Sequence, residues 1–176
     1  VGSNWDTGFA PGSGDDVTID RPAGSFKVTI RDGFGTQGAK TLTTSSDETI
    51  DIAGAGLYID QASSVNANVS LTNAFFQAGS PVTFAGPFTW NSGLITGAAT
   101  TIGATGSLTI AGTGGKTLNG NGLSILGTVH HTGTGQFDAN SRITVNVGGG
   151  YQLETDATIG AGGRFVNSGA LRKMPG

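Results

Sequence analysis

Residues 106–110 read GSLTI, and residues 143–147 read ITVNV. In both segments polar and apolar residues alternate with a period of two, which is typical of a β-strand with one buried face. Short predicted strands that begin with similar small or polar residues recur along the second half of the chain. Five segments begin with glycine, serine or asparagine and continue into an apolar pair or an apolar-x-apolar triplet: residues 93–95, 106–110, 122–125, 141–145 and 163–166.

The spacing of these segments predicts a solenoid. Their leading apolar residues stand at positions 94, 108, 123, 143 and 165. The intervals thus range from about 14 to about 22 residues, which is typical of a parallel β-helix with coils of roughly 20 residues that accept loop insertions. We predict one all-β domain over residues 1–176, with a cap at 1–14, less regular coils at 15–91 and more regular coils at 92–176. An antiparallel β-sandwich is the alternative, because some segments also match its turn spacing of roughly 8–12 residues.

The composition agrees with short strands joined by tight corners. Glycine accounts for 32 residues, and charged residues make up only 12% of the chain. Glycine and asparagine supply the positive-φ corners that each coil needs. A low charge is expected because like charges stacked every ~5 Å between coils repel each other.

In the first half, the alternation predicts strands at residues 17–20, 26–31, 41–44, 49–53, 57–60, 69–72, 82–84 and 88–90. Residues 61–67 lack glycine and contain alanines, but the segment is too short and serine-rich to predict a helix. Hardly any window carries the helical apolar spacing without interruption by glycine or β-branched residues. We therefore predict essentially no α-helix.

Several phrases resemble those of large secreted bacterial repeat proteins. Residues 4–5 (NW) and 9–19 (FAPGSGDDVTI) are similar to the start of such proteins, and later phrases are residues 89–93 (TWNSG), 106–110 and 163–173 (GRFVNSGALRK). The chain thus resembles autotransporter-passenger and filamentous-haemagglutinin-like exoproteins. The resemblance implies a right-handed parallel β-helix at the cell surface or in the extracellular space. Because such proteins are usually much longer, it also implies a segment, or a subunit that continues across copies.

Charge and motifs exclude several classes of function. Nine Lys and Arg residues are scattered along the chain and outnumbered by twelve Asp and Glu, so we expect no nucleic-acid partner. No apolar run approaches the roughly 18 residues of a membrane span, and the absence of cysteine excludes disulfides and cysteine-ligated metals. No HExxH, P-loop, GxSxG or CxxC motif occurs. His130 and His131 are adjacent, so on a strand they point to opposite faces and do not bind one metal together.

Acidic residues offer a candidate catalytic pair and a candidate calcium site. Asp138 and Asp156 are separated by about the length of one coil, so neighbouring coils could bring them together. Carboxylates about 5–10 Å apart suit glycoside hydrolysis. We nevertheless prefer solvated turn aspartates that accept backbone N–H bonds, and we predict no enzyme.

Hard oxygen ligands for calcium would come from the Asp15-Asp16 pair, with Asp6 or Asp32 nearby. Turn capping is the preferred interpretation, since the calcium-binding GGxGxDxUx nonapeptide is absent. We therefore expect no metal and no cofactor.

Two surface functions require periodic side chains. Ice binding requires Thr-x-Thr on every coil, but only residues 41–43 and 132–134 show the triplet. A sugar-stacking platform requires aromatic residues at one-coil spacing. Four aromatic residues lack that spacing, so we predict core or end-cap packing for them: Trp5, Tyr58, Trp90 and Tyr151.

We predict a non-enzymatic structural or adhesive segment of a bacterial surface protein, or a self-assembling fibre subunit. The alternatives are a glycan-binding module and a polysaccharide-processing β-helix enzyme. A β-helix has two open ends whose unpaired strand groups must be capped or paired. The expected partners are therefore copies of this chain or neighbouring repeats, with surface glycans as a further class. The residues expected at capping or end-to-end contacts are Trp5, Phe9, Asp15, Asp16, Arg164, Arg172 and Lys173.

Overall fold

The computed structural model describes residues 6–20, 26–33 and 35–175. These residues form strands and no helix. In chain order the strands are β1 (Asp16–Ile19), β2 (Lys27–Arg31), β3 (Thr36–Ala39), β4 (Thr41–Thr44), β5 (Thr49–Ala53), β6 (Gly56–Ile59), β7 (Ser63–Val65), β8 (Asn68–Thr72), β9 (Ala74–Ala78), β10 (Val82–Phe84), β11 (Pro87–Trp90), β12 (Gly93–Gly97), β13 (Thr100–Ile102), β14 (Ser107–Ile110), β15 (Lys116–Leu118), β16 (Leu123–Ile125), β17 (Thr128–His131), β18 (Phe137–Ala139), β19 (Ile143–Val145), β20 (Gly150–Leu153), β21 (Ile159–Ala161), β22 (Phe165–Asn167) and β23 (Ala170–Lys173).

The strands form three parallel sheets in which each strand pairs with the third strand before it and the third after it. Sheet A runs β1-β4-β7-β10-β13-β16-β19-β22, sheet B runs β2-β5-β8-β11-β14-β17-β20-β23, and sheet C runs β3-β6-β9-β12-β15-β18-β21. The fold is therefore a β-solenoid of about seven coils, which confirms the parallel β-helix and rules out the antiparallel sandwich. Its handedness remains a prediction from the resemblance.

The register confirms the predicted coil length. The shortest coil leads from Val82 to its partner Thr100, and the longest leads from Asp16 to Thr41. The other coils lie between these limits, so all are close to the roughly 20 residues expected of such a repeat. Corner insertions account for the variation, because strand length itself changes little.

Alternation places the core on the inner side of all three sheets. Many strands show a buried residue, a half-buried residue and a second buried residue in succession. The largest inward side chains include Phe76, Phe84, Phe88 and Trp90, each at most 2% exposed. Aromatic rings from different sheets meet at the centre, with 4.6 Å between the ring centroids of Phe84 and Phe88. The described residues contain no helix of the length and apolarity needed to cross a membrane.

All eight strands predicted in the first half are confirmed. Three have the predicted bounds, namely β4, β5 and β10, and the other five differ by one residue at one or both ends. Three strands of the first half were not predicted: β3 (TQGA), β7 (SSV) and β9 (AFFQA). β3 and β7 consist mainly of small and polar residues with little strand signal, so pairing with neighbouring coils determines their conformation.

The five recurring segments are not all equivalent. Leu123, Ile143 and Phe165 stack in one column of sheet A. Leu108 lies in sheet B, and Leu94 lies in sheet C on its outer side. The two shorter intervals, 94 to 108 and 108 to 123, therefore cross between sheets, whereas 123 to 143 and 143 to 165 correspond to complete coils.

Candidate functional site

The C-terminal end of the solenoid exposes apolar side chains. Phe165 is 38% exposed, Leu171 53% and Met174 39%. One coil earlier, the register partners of the first two, Ile143 and Tyr151, are each 1% exposed. β21, β22 and β23 each end their sheet, so each has one strand edge without a ladder partner in the described residues. This end face, made by Phe165 and Leu171, therefore has the chemistry of a coil–coil interface.

The two ends carry opposite charge. Residues 1–35 contain five aspartates against three basic residues, whereas residues 157–176 contain three basic residues and no acid. The basic residues Arg164, Arg172 and Lys173 are all exposed.

Several predicted end residues also bond within the solenoid. Asp15 Oδ2 accepts the Gly12 N–H at 2.8 Å, which is the predicted turn cap. Asp16 accepts the Thr41 hydroxyl at 2.7 Å and Lys40 Nζ at 3.0 Å, and these bonds lower the pKa of the Asp16 carboxyl. Lys173 Nζ lies 3.1 Å from Asp156. End-to-end roles for these residues remain predictions.

The N-terminal cap is only partly described. Trp5 lies outside the described residues. Phe9 is 78% exposed, so its side chain does not cover the core as expected. Residues 6–14 are polar and glycine-rich, and little apolar surface is available there to hold the ring against the core.

Asp138 and Asp156 do not stack as expected for a catalytic pair. Asp138 lies on the outer side of β18, where Gln136 Nε2 donates to its Oδ1 at 2.8 Å. Its partner on the next coil is Gly160 rather than Asp156. Asp156 belongs to the loop before β21, and its side chain is 90% exposed. The coil here is longer than the separation of the two aspartates. Their spacing in the sequence therefore does not place them at aligned positions on neighbouring coils.

His130 and His131 point to opposite sides of sheet B, as predicted. The outer His130 Nδ1 lies 2.6 Å from Glu154 Oε1. The inner His131 is fully buried, and its Nδ1 lies 2.9 Å from the Tyr151 hydroxyl. Burial and the nearby Lys116 charge lower the pKa of His131 from 6.5 to about 4.

A polar cluster surrounds His131 inside the core. Lys116 is 1% exposed, and its Nζ donates to the Gly114 carbonyl at 2.8 Å. Burial lowers the pKa of Lys116 and raises that of Tyr151. His131 Nε2 and Trp90 Nε1 have no hydrogen-bond partner among the described residues. The cluster is enclosed by three sheets, so these groups do not reach an external substrate.

Two of the four aromatic residues pack in the core as predicted. Trp90 and Tyr151 are at most 1% exposed. Tyr58 is different, because it lies half-buried on the outer side of β6. The sequence analysis also missed Phe75, on the outer side of β9. The Phe75-Phe76 pair held the signal, since adjacent strand residues point to opposite faces and one ring must face outward.

A hydroxyl column runs along the outer side of sheet A. The register aligns Thr18, Thr43, Ser64, Thr83, Thr101, Ser124 and Thr144 on successive coils. Large separations along the chain hid this column from the sequence analysis. Residues two positions earlier include Pro81, Gly122 and Arg142, so the column is one residue wide and does not form a Thr-x-Thr array.

Among the described residues, no group of three or more His, Asp or Glu side chains is arranged to hold a metal ion. The aspartates considered for calcium, namely Asp6, Asp15, Asp16 and Asp32, do not form such a group.

Comparison with protein-family models, with curated proteins and with solved structures found no match to this chain. The resemblance to secreted repeat proteins therefore remains an expectation from the sequence.

Proposed function

We propose that this chain is a non-enzymatic structural segment of an extracellular bacterial surface protein or fibre. In this role the chain extends a solenoid, because its ends stack on further coils. These coils are supplied by copies of the chain or by neighbouring repeats. The resemblance to secreted repeat proteins supports the extracellular location. The end face supports the stacking.

The end face carries the proposal. Completing the burial of Phe165 and Leu171 contributes roughly 1 kcal/mol or more for each side chain. Association costs about 4–15 kcal/mol in lost freedom. Apolar burial alone is therefore insufficient, and the contact also needs strand pairing along three edges and attraction between the oppositely charged ends.

Light scattering and negative-stain electron microscopy of the purified chain test the proposal. We expect particles that lengthen with protein concentration and shorten in about 1 M salt, where the Debye length falls to about 3 Å. Leu171→Asp places a charge on the end face and should leave single solenoids. Leu126→Asp is the matched control, because Leu126 is 42% exposed but lies at a corner after β16, away from the end.

Wild-type protein that remains monomeric at millimolar concentration would contradict stacking between copies. Filaments of Leu171→Asp as long as those of the wild type would show that another surface mediates assembly.

A further inference from the structure

The outer side of sheet C presents an apolar ridge, formed by Phe75 and Leu94. Phe75 and Leu94 are half-buried and adjacent in one outward column. The next outward column contains Tyr58, Gln77 and Thr96 at aligned positions. Apolar side chains in one column are thus bordered by hydrogen-bonding side chains in the other.

Gly56 allows the Phe75 ring to lie against the sheet, because it has no side chain there. A Cβ built on Gly56 would overlap Phe75 Cζ, so the tip of the ring occupies the space above this residue. The ring therefore lies along the sheet across the preceding coil. Laid down in this way, it presents a flat apolar surface rather than an edge.

Shallow depressions lie on both sides of the ring. One is lined by Phe75, Leu94 and the corner residue Asn73, and the other by Phe75, Tyr58 and Gln77. The Tyr58 hydroxyl donates to Asp60 Oδ1 at 2.6 Å, a bond that lowers the pKa of Asp60 and keeps its carboxylate ionised. A ligand that crosses the ridge meets hydrogen-bonding groups before and after the ring.

Charge and size indicate the ligand class. Lys116 is the only Lys or Arg in the sheet C strands, and it points inward. Lys40, directly after β3, pairs with Asp16 at 3.0 Å, whereas Asp138 and Asp60, directly after β6, are acidic. An anionic polymer would therefore be repelled. Phe75 and Leu94 are also far fewer than the roughly 20–30 residues that each partner supplies to a standard protein interface.

We propose that this ridge binds an uncharged polysaccharide, with a sugar ring packed on Phe75. The C–H face of a pyranose packs on the flat apolar surface of an aromatic ring. Gln77 and the Tyr58–Asp60 pair bond hydroxyl groups of the neighbouring sugar. This site is independent of the stacking proposed above, because it lies on the side of the solenoid.

Sedimentation with insoluble cellulose, chitin and β-1,3-glucan tests the proposal, with soluble polygalacturonate as the anionic comparison in affinity electrophoresis. We expect the wild type to be retained by at least one uncharged polymer. Phe75→Ala should weaken retention at least tenfold, and Gln77→Ala, at an exposed position, severalfold. Phe75→Trp should retain binding, and so should Leu126→Ala, which removes an exposed apolar side chain from another part of the surface.

Three results would overturn the site. They are no retention of the wild type by any uncharged polymer, retention of both Phe75→Ala and Gln77→Ala equal to that of the wild type, or a preference of the wild type for polygalacturonate. Circular dichroism and light scattering of each variant separate this test from folding and from end stacking. A wild-type protein that forms growing particles but binds no uncharged polymer refutes only the ridge, whereas a wild-type protein that binds a polymer but forms no growing particles refutes only stacking.

Discussion

His131 makes the stability of the core depend on pH. Its pKa falls to about 4 in the folded chain because of burial and the nearby Lys116, against 6.5 when unfolded. Between these values the unfolded chain binds a proton that the folded chain does not. The free energy of unfolding should therefore fall by roughly 3 kcal/mol as the pH is lowered from 6.5 to 4, and this stability is fully present above pH 6.5.

Denaturant unfolding at several pH values measures this dependence. His131→Leu should remove most of the slope between pH 6.5 and 5, where few carboxylates titrate, whereas His130→Gln, on the outer side of the same strand, should retain it. The carboxylates with lowered pKa, such as Asp16 and Asp51, add to the slope mainly below about pH 5, and they do so in both variants. Equal slopes in both variants would contradict the role of His131.

Alanine substitutions at three glycines distinguish the cost of backbone strain from the cost of steric overlap. Gly122 has φ +97° and a Cβ there would overlap the Arg142 carbonyl oxygen, whereas Gly148 has φ +86° but faces open space. Gly150 has open space without a positive φ. Alanine should be nearly neutral at Gly150, cost about 1–2 kcal/mol at Gly148 and cost more at Gly122. Thermal unfolding ranks the three variants, and a different order would refute this account.

At the scale of the strand, adjacent threonines of β4 have unequal roles. Thr44 is 3% exposed, and its Oγ1 accepts the N–H groups of Asn66 and Ala67, each at 2.8 Å. Thr43 is its outward neighbour. Thr44→Val keeps the shape but leaves two N–H groups unpaired, so it should cost roughly 2 kcal/mol or more.

Thr43→Val is the control for this pair and should change the free energy of unfolding by less than about 0.5 kcal/mol. Chemical denaturation of both variants gives the difference. Equal effects would show that the Thr44 hydroxyl does not stabilise the corner.

The strands that sequence predicts well are those whose own residues carry the signal. β5 (TIDIA) alternates β-branched and polar residues, and its bounds were predicted. β3 (TQGA) and β7 (SSV) have little preference of their own and take their conformation from the strands paired on each side. Sequence alone therefore predicted the solenoid but not which segments share a sheet.

At the scale of the whole molecule, stability should decrease toward the ends. Each coil packs mainly on the coil before and the coil after it, so local opening is least costly at the terminal strands. Hydrogen exchange followed by mass spectrometry should show the strongest protection in β11 and β14 and the weakest in β1 and β23. Uniform exchange across all strands would indicate one cooperative unit instead.

The candidate sites were harder to predict than the fold. The basic residues near the C-terminus suggested an end contact, but the exposure of Phe165 and Leu171 depends on the position of the last coil. Likewise, Phe75, Tyr58 and Gln77 come together only through the register of sheet C. Whether two side chains about 20 residues apart are aligned on neighbouring coils depends on the lengths of the corners between them, which the sequence does not give.

The parallel register also determines how the chain responds to tension. Each coil holds roughly 20 residues but adds only about 4.8 Å along the axis. A force applied to the last strand loads its ladder first, and each detached coil releases roughly 60–85 Å of chain. The molecule would therefore lengthen in discrete steps and dissipate work at each one, while the coils that remain keep their structure.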